Sequence, residues 1–234
     1  MFRILDSFTD PIDQLALDEA LLLAGRDAIR LWEFSQPTVV AGRSTRIDDE
    51  IDRIYCDAHQ IPILRRCTGG ASVVGGPGCL MYSIILSISS RPALRRIDAA
   101  HSHVMTHVLA ALQDQLPESQ LQGVCDLTWG NQKCSGNSLR MTRDSLLYHG
   151  TILYDFKLKL IARSLKTTPR QPEYRAGRDH AEFVTNVPID PVKFGADLCD
   201  QFQAIKEMKA DSLRDPILKM RRDRYDDPAW HFRH

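Results

Sequence analysis

The run Arg65-Arg66-Cys67-Thr68-Gly69-Gly70-Ala71-Ser72-Val73-Val74-Gly75-Gly76-Pro77-Gly78 constrains this chain more than any other stretch, because it sets two guanidinium groups before two glycine clusters. The apolar runs on either side, Ile61 to Leu64 and Leu80 to Leu86, read as buried strands feeding and leaving a loop. Glycine has no Cβ, so the backbone reaches φ > 0, approaches a ligand closely and lets successive N–H groups converge on an anion. Arginine adds a planar fork of charged donors that suits phosphate and carboxylate alike. The stretch therefore reads as an anion-holding loop or as a plain turn between strands.

A chain of 234 residues with 43% hydrophobic composition supports a core and suits one large domain of mixed helices and strands. Thirty Lys+Arg balance thirty Asp+Glu, so no global field recruits nucleic acid or a membrane surface. No apolar run approaches the ~20 residues that span a bilayer, and Met1 to Asp6 is not a signal peptide, so a cytoplasmic location is expected. The cysteines (Cys56, Cys67, Cys79, Cys125, Cys134, Cys199) form no CxxC pair, which favours reduced thiols over disulfides or zinc.

Along the chain, Phe2 to Ser7 reads as a strand and Pro11 to Ala24 as a helix capped by Asp10 and closed by Gly25. Ile12, Leu15, Ala16, Leu22 and Leu23 share one helical face, and Glu19 falls inside that stripe. The expected role of Glu19 is a buried or rim-facing carboxylate hydrogen-bonded to backbone, rather than a catalytic acid. Strands are expected at Ala28 to Phe34 and Thr38 to Ala41, and a helix from Ile47 to His59. The longest helix runs from Ala93 to Leu116, with Ile97, Val104, Val108 and Leu112 on its apolar face. Three strands follow as a meander: Val124 to Trp129, Gln132 to Arg140 and Ser145 to Tyr154. A helix from Leu158 to Leu165, an irregular segment from Thr168 to Pro172 and a helix from Pro191 to Met208 come next. The charged stretch from Lys219 to His234 is expected on the surface.

Two interruptions in the second half carry chemistry. Lys133 opens a strand that soon contains Gly136, and a glycine inside a strand marks close approach of a ligand. The lysine reads as a mobile charge against a phosphate or carboxylate, or as a surface residue after a hairpin turn. His149-Gly150-Thr151 breaks an apolar strand in the same way, with a buried, hydrogen-bonded histidine as the plainer alternative.

The order RRxTGG, KxSGNS, HGT resembles the biotin/lipoate A/B protein ligase family over roughly residues 13 to 187, and Leu15-Ala16-Leu17-Asp18-Glu19 and Trp32 through Gly42 fit the family's opening. The resemblance implies an α+β fold, a mixed sheet flanked by helices, similar to the catalytic domains of biotin ligases and class II aminoacyl-tRNA synthetases. It implies formation of an acyl adenylate from lipoate or octanoate and ATP, followed by transfer to a lysine of a lipoyl-domain protein. By the same resemblance Lys133 is the catalytic lysine. Arg65, Gly69, Gly70, Ala71, Ser72 and Val73 form the segment for adenylate phosphate and acyl chain. Asp126, Gly136, His149, Gly150 and Thr151 border the nucleotide. Mg2+ is implied with ATP, but the sequence singles out no ligand for it.

Residues 1–234 are expected to form one catalytic domain with a C-terminal helical extension from about 188 and no accessory domain, which leaves room for a separate accessory subunit. Two other readings stay open: an octanoyltransferase that takes its acyl group from a carrier protein without ATP, and a non-catalytic module binding lipoate or a lipoylated protein. The transferases' cysteine a few residues before the Asp126-Leu127 pair has no counterpart in Ser119 to Gly123. Cys67, Cys125 and Cys134 read as buried small residues or as thiolates able to form a thioester, Cys134 least so because Lys133 takes the pocket side. His103 and His107, four apart on the long helix, read as solvated rather than metal-binding.

Overall fold

The structure, a computed structural model, describes residues 1–5, 8–166 and 171–233. The end of the first expected strand (Asp6, Ser7), Thr168 to Arg170 of the irregular segment and His234 lie outside the described residues. The strands are β1 Phe2–Leu5, β2 Ala28–Trp32, β3 Thr38–Ala41, β4 Ile63–Arg65, β5 Val73–Gly75, β6 Cys79–Ser87, β7 Ser119–Gln122, β8 Asp126–Trp129, β9 Gln132–Ser135, β10 Asn137–Met141, β11 Ser145–Leu153 and β12 Lys206–Lys209. The helices are α1 Pro11–Ala24, α2 Ile47–Glu50, α3 Arg53–Ala58, α4 Ile97–Gln113, α5 Lys159–Ser164, α6 His180–Phe183, α7 Pro191–Gln201, α8 Arg214–Met220 and α9 Pro228–Phe232.

A mixed six-stranded sheet in the order β10-β11-β6-β2-β1-β12 is the frame of the α+β fold. Side chains alternate across its central strand β6, as the pleat requires. Met81 and Ile85 join a core that includes Leu15, Leu21 and Leu22 of α1. Tyr82, Ile84 and Leu86 join a second core with Val104 and Val108 of α4 and Phe194 and Leu198 of α7. Helix α1 starts where Asp10 accepts from Ile12 N and stops at Gly25, whose φ of 67° needs no Cβ. Two three-stranded sheets, β4-β3-β5 and β7-β8-β9, flank the frame.

Several local expectations give way to tertiary pairing. The helix expected from Ile47 to His59 splits, because extended Ile51 bridges Leu165 and Asp52 caps α3 by accepting from Tyr55 N. The strand expected from Gln132 to Arg140 breaks at Gly136. Its first half pairs with β8 and its second with β11, so the chain changes sheets there. The helix expected from Pro191 to Met208 ends at Gln201, and residues Lys206–Lys209 become β12, parallel to β1 at the sheet edge. The C-terminal extension is therefore not wholly helical. Ile97 and Leu23 are exposed rather than core-facing. Tyr225, Trp230 and His231 are buried, so the C-terminal stretch is not all surface as its charge suggested.

Candidate functional site

A cavity of about 470 Å³ opens where the glycine-rich loop, β9, β10 and β11 meet. Its lining is of two kinds. Leu15, Trp32, Val40 and Met81 supply apolar surface from α1 and three strands, while Arg66, Asp126, Lys133, His149 and Thr151 supply polar groups. Ala71, Ser72 and Val73 of the loop, and Gly136 and Gly150, complete the wall that the sequence motifs pointed to. A smaller cavity of about 130 Å³ shares Ala71, Ser72, Val73, Lys133, Gly136 and Thr151 with the first.

Lys133 reaches the cavity from β9 and pairs with Asp126 Oδ1 at 2.7 Å. Tyr174 donates its hydroxyl to Asp126 Oδ2 at 2.8 Å, so the carboxylate is shared between a cation and a phenol. Burial first, and Asp126 next, push the Tyr174 phenol far up. A Cβ on Gly136 would stand 3.3 Å from Lys133 Cε and Nζ, tight enough to crowd the ammonium. Gly150 has the same logic more strongly, since its Cβ would meet Asn137 Oδ1 and the Tyr82 hydroxyl well inside contact distance.

His149 is a cavity residue and a buried, doubly bonded one at once. Its Nε2 meets Thr68 Oγ1 at 2.7 Å and its Nδ1 meets Asp18 Oδ2 at 2.9 Å. Asp18 in turn accepts from Arg30 Nη1 at 2.7 Å and from Ser83 Oγ at 2.9 Å. Thr68 Oγ1 accepts from Arg66 Nε at 2.9 Å, which completes a buried chain from Arg30 beneath the sheet face to the loop. Burial alone would raise the Asp18 carboxyl, but Arg30 and His149 hold it below its usual range.

The two arginines part company: the one that the resemblance assigned to the adenylate phosphate, Arg65, lies away from the cavity, and its neighbour Arg66 borders it. Arg65 is fully buried and does not border the cavity; it donates to the carbonyls of Gly42, Thr45, Trp230, His231 and Arg233. It fastens the C-terminal segment to the core instead of facing a phosphate. Arg66 borders the cavity and ties the loop through Val40 O at 3.1 Å and Ala71 O at 2.9 Å. Burial lowers it to about 10, which leaves it charged at neutral pH. Gly69 and Gly70 border a separate hollow beyond the loop rather than the main cavity. Gly69 O accepts from Ser138 Oγ at 2.8 Å, and Gly70, at φ 82°, makes the turn.

Glu19 finds side chains rather than backbone. Arg140 donates to Oε1 at 2.6 Å, Tyr225 to Oε2 at 2.8 Å, and Arg224 joins them, so α1, β10 and the C-terminal segment converge on one carboxylate. Burial opposes its ionisation, but Arg224 and Arg140 hold it below the usual range. Asp18, one residue earlier, carries the link to His149, and its place beside a carboxylate in an apolar helix was the available signal.

Burial works against thiolate formation at the three candidate cysteines. Burial raises Cys67 and Cys134 to about 12, and Cys134 donates to Leu127 O at 3.3 Å inside the second core. Cys125 borders the cavity, and burial and then Asp126 raise it too, against the opposing pull of Lys133. His107 Nδ1 bonds to His103 O, and both rings lie against Phe202. Among the described residues no group of three or more His, Cys, Asp or Glu converges as a metal cage. Among them, too, no helix is long and apolar enough to cross a membrane.

The model of the Lipoyl protein ligase A/B catalytic domain matches residues 10–190. Lipoate--protein ligase 1 of Staphylococcus aureus is 24% identical over 241 residues, covering 97% of this chain and 71% of that protein. Octanoyltransferase LipM of Oceanobacillus iheyensis is 27% identical over 173 residues, covering 65% of this chain and 63% of that one. The match to lipoate-protein ligase LplJ of Bacillus subtilis, at 25% identity and 77% of this chain, spans 54% of that protein's length. The solved bi-partite lipoate protein ligase of Thermoplasma acidophilum superposes with a TM-score of 0.80 at 19% identity, covering 99% of this chain and 95% of that one. A lipoate-protein ligase A solved with bound ATP gives a TM-score of 0.76 at 20% identity, covering 99% and 98%. These two likenesses show the fold.

Proposed function

The chain belongs to the lipoyl protein ligase A/B catalytic-domain family, and from that premise we propose that it is an ATP-dependent lipoate-protein ligase. The carboxylate of lipoate or octanoate attacks the α-phosphorus of ATP, pyrophosphate leaves, and the acyl adenylate forms. A lysine amine of a lipoyl-domain protein then attacks the acyl carbonyl, AMP leaves with the bonding electrons, and the amine gives up a proton. The observation that carries this reading is Lys133 at a cavity lined both by apolar side chains and by cationic or amide donors. An ammonium there stabilises the charge that builds on the acyl carboxyl and phosphate oxygens. Leu15, Trp32, Val40 and Met81 fit the acyl chain, while Arg66, the Ala71 to Val73 loop and Thr151 fit the nucleotide. Magnesium would travel with ATP.

Pairing with Asp126 suits Lys133 to this work, since the carboxylate holds the ammonium in place until a substrate anion competes for it. A separate accessory subunit is part of the proposal, supported by the likeness to the archaeal bi-partite ligase. A cytoplasmic location goes with it.

The transferase reading draws on the similarity to the LipM octanoyltransferases and on Cys125 beside the cavity. It would take an octanoyl group from a carrier thioester onto that thiol and then to the acceptor lysine. The raised thiols favour the adenylate route. The deciding assay incubates the protein with octanoate or lipoate, ATP, magnesium and a lipoyl domain. Pyrophosphate release and an acyl adenylate are expected. Acyl transfer from an octanoylated carrier protein without ATP would replace the ligase reading with the transferase. Tight lipoate binding with neither activity would leave a binding module.

A further inference from the structure

Glu50, the last residue of α2, touches the glycine-rich loop at its ligand-facing segment: Oε2 accepts from Ser72 N–H at 2.7 Å. The backbone of Glu50 is fixed from the opposite side, because its carbonyl accepts from Lys166 N at 2.8 Å and the next residue, Ile51, bridges Leu165. Only the side chain is left free to change partner. Ser72 borders both cavities, and its covered hydroxyl has no hydrogen-bond partner. Buried polar groups are almost always paired, so an unpaired one beside a cavity points to a missing partner.

The charges around Glu50 tell the same story. It borders the smaller cavity together with Lys133. Its charge is also among those that oppose the lowering that burial imposes on Arg66 and Arg65. A carboxylate is acceptor-only and anionic. Seated on a loop N–H amid buried cations, it holds a place that suits an oxygen of a bound phosphate or carboxylate.

We propose that Glu50 is an internal stand-in for the substrate's anion: its carboxylate occupies the Ser72 amide until an oxygen of the ligand displaces it. The inference rests on the reading of the cavity as an acyl-adenylate site. It makes Glu50 a positioning residue that holds the loop in its ligand-ready shape before the anion arrives and sets the affinity of the anion that replaces it. The incoming anion must break the 2.7 Å hydrogen bond and then share the cavity with a like charge.

Glu50→Gln separates this role from that of a strut, because glutamine keeps the shape and an acceptor oxygen for Ser72 N–H while removing the charge. Pyrophosphate, ATP and uncharged adenosine, each with EDTA, are titrated calorimetrically into both proteins. Pyrophosphate and ATP should bind the variant roughly threefold to tenfold more tightly, as expected on removing one like charge a few Å away under solvent screening, and adenosine should bind equally. Unchanged or weaker pyrophosphate binding by the variant overturns the inference, as does absence of pyrophosphate binding to either protein. Tighter pyrophosphate binding by the variant with no ATP or adenosine binding to either protein would uphold Glu50's role while removing the nucleotide reading. Equal binding of all three ligands to both proteins would do the reverse.

Discussion

Replacing Arg65 with methionine should unfold the C-terminal segment's anchorage and cost the protein about 3–5 kcal/mol of stability. The guanidinium is fully buried and donates to Gly42 O at 2.7 Å, Thr45 O at 2.8 Å, Arg233 O at 2.7 Å and Trp230 O at 3.0 Å. Each buried carbonyl left without a donor costs roughly 1–3 kcal/mol, so these contacts sum to about 4–12 kcal/mol before relaxation. Removing the buried cation returns several kcal/mol of desolvation, and water reaching the frayed segment recovers more, which gives the smaller net figure. Trp230 shares in the loss, because its Nε1 donates to Arg65 O and the Arg233 guanidinium stacks on its ring at 4.0 Å. Urea unfolding followed by tryptophan fluorescence measures the change, against a total of about 5–15 kcal/mol for an ordinary domain. Arg65→Lys should lose less, since an ammonium still satisfies up to three carbonyls. A methionine variant within 1 kcal/mol of the parent, yet unable to bind substrate, would refute this account and return Arg65 to the phosphate role that the sequence resemblance implied.

Lys133→Ala should leave the unfolding transition nearly in place and lower acyl transfer on the order of 10²-fold or more, read as labelled octanoate incorporated into a lipoyl domain. Cys67→Ser, Cys125→Ser and Cys134→Ser should each retain most activity, and an acyl group found on any of the three thiols by mass spectrometry would contradict the adenylate route. Asp18 titrates below its ordinary 3.8 in the folded protein. Its contribution to stability is therefore complete above that value and is lost as pH falls through the lower folded pKa. Asp18→Asn should flatten the fall in melting temperature below about pH 4, and an identical acid profile in the two proteins would show that the carboxylate is not held as described.

The cavity wall was legible where the chain departs from its own local pattern. Glycines at 136 and 150 interrupt strands, and a lysine and a histidine stand beside them; in the structure all four border one cavity. Helix α1 was legible end to end because Asp10, Pro11 and Gly25 act through their own backbone geometry. Arg65 and Arg66 were not separable in that way. Adjacent residues in an extended segment point to opposite sides, and the sequence does not say which side holds the cavity. The answer came from α9, more than 160 residues away, whose carbonyls claim Arg65.

Glu50 lies in the same class of hidden residue: nothing near it in the chain marks it, and only the approach of α2 to the loop brings it to Ser72. The C-terminal strand β12 is another case, since a charged stretch of Lys206–Lys209 becomes a strand only because β1 offers an unpaired edge. Short-range physics, in caps, breaks in periodicity and glycine conformations, is written into neighbouring residues, so the sequence alone determined the motifs and most of the elements. Partner choice by buried cations and anions depends on which segments meet in space. The tertiary structure therefore decided which arginine borders the cavity and which one holds the C-terminal segment.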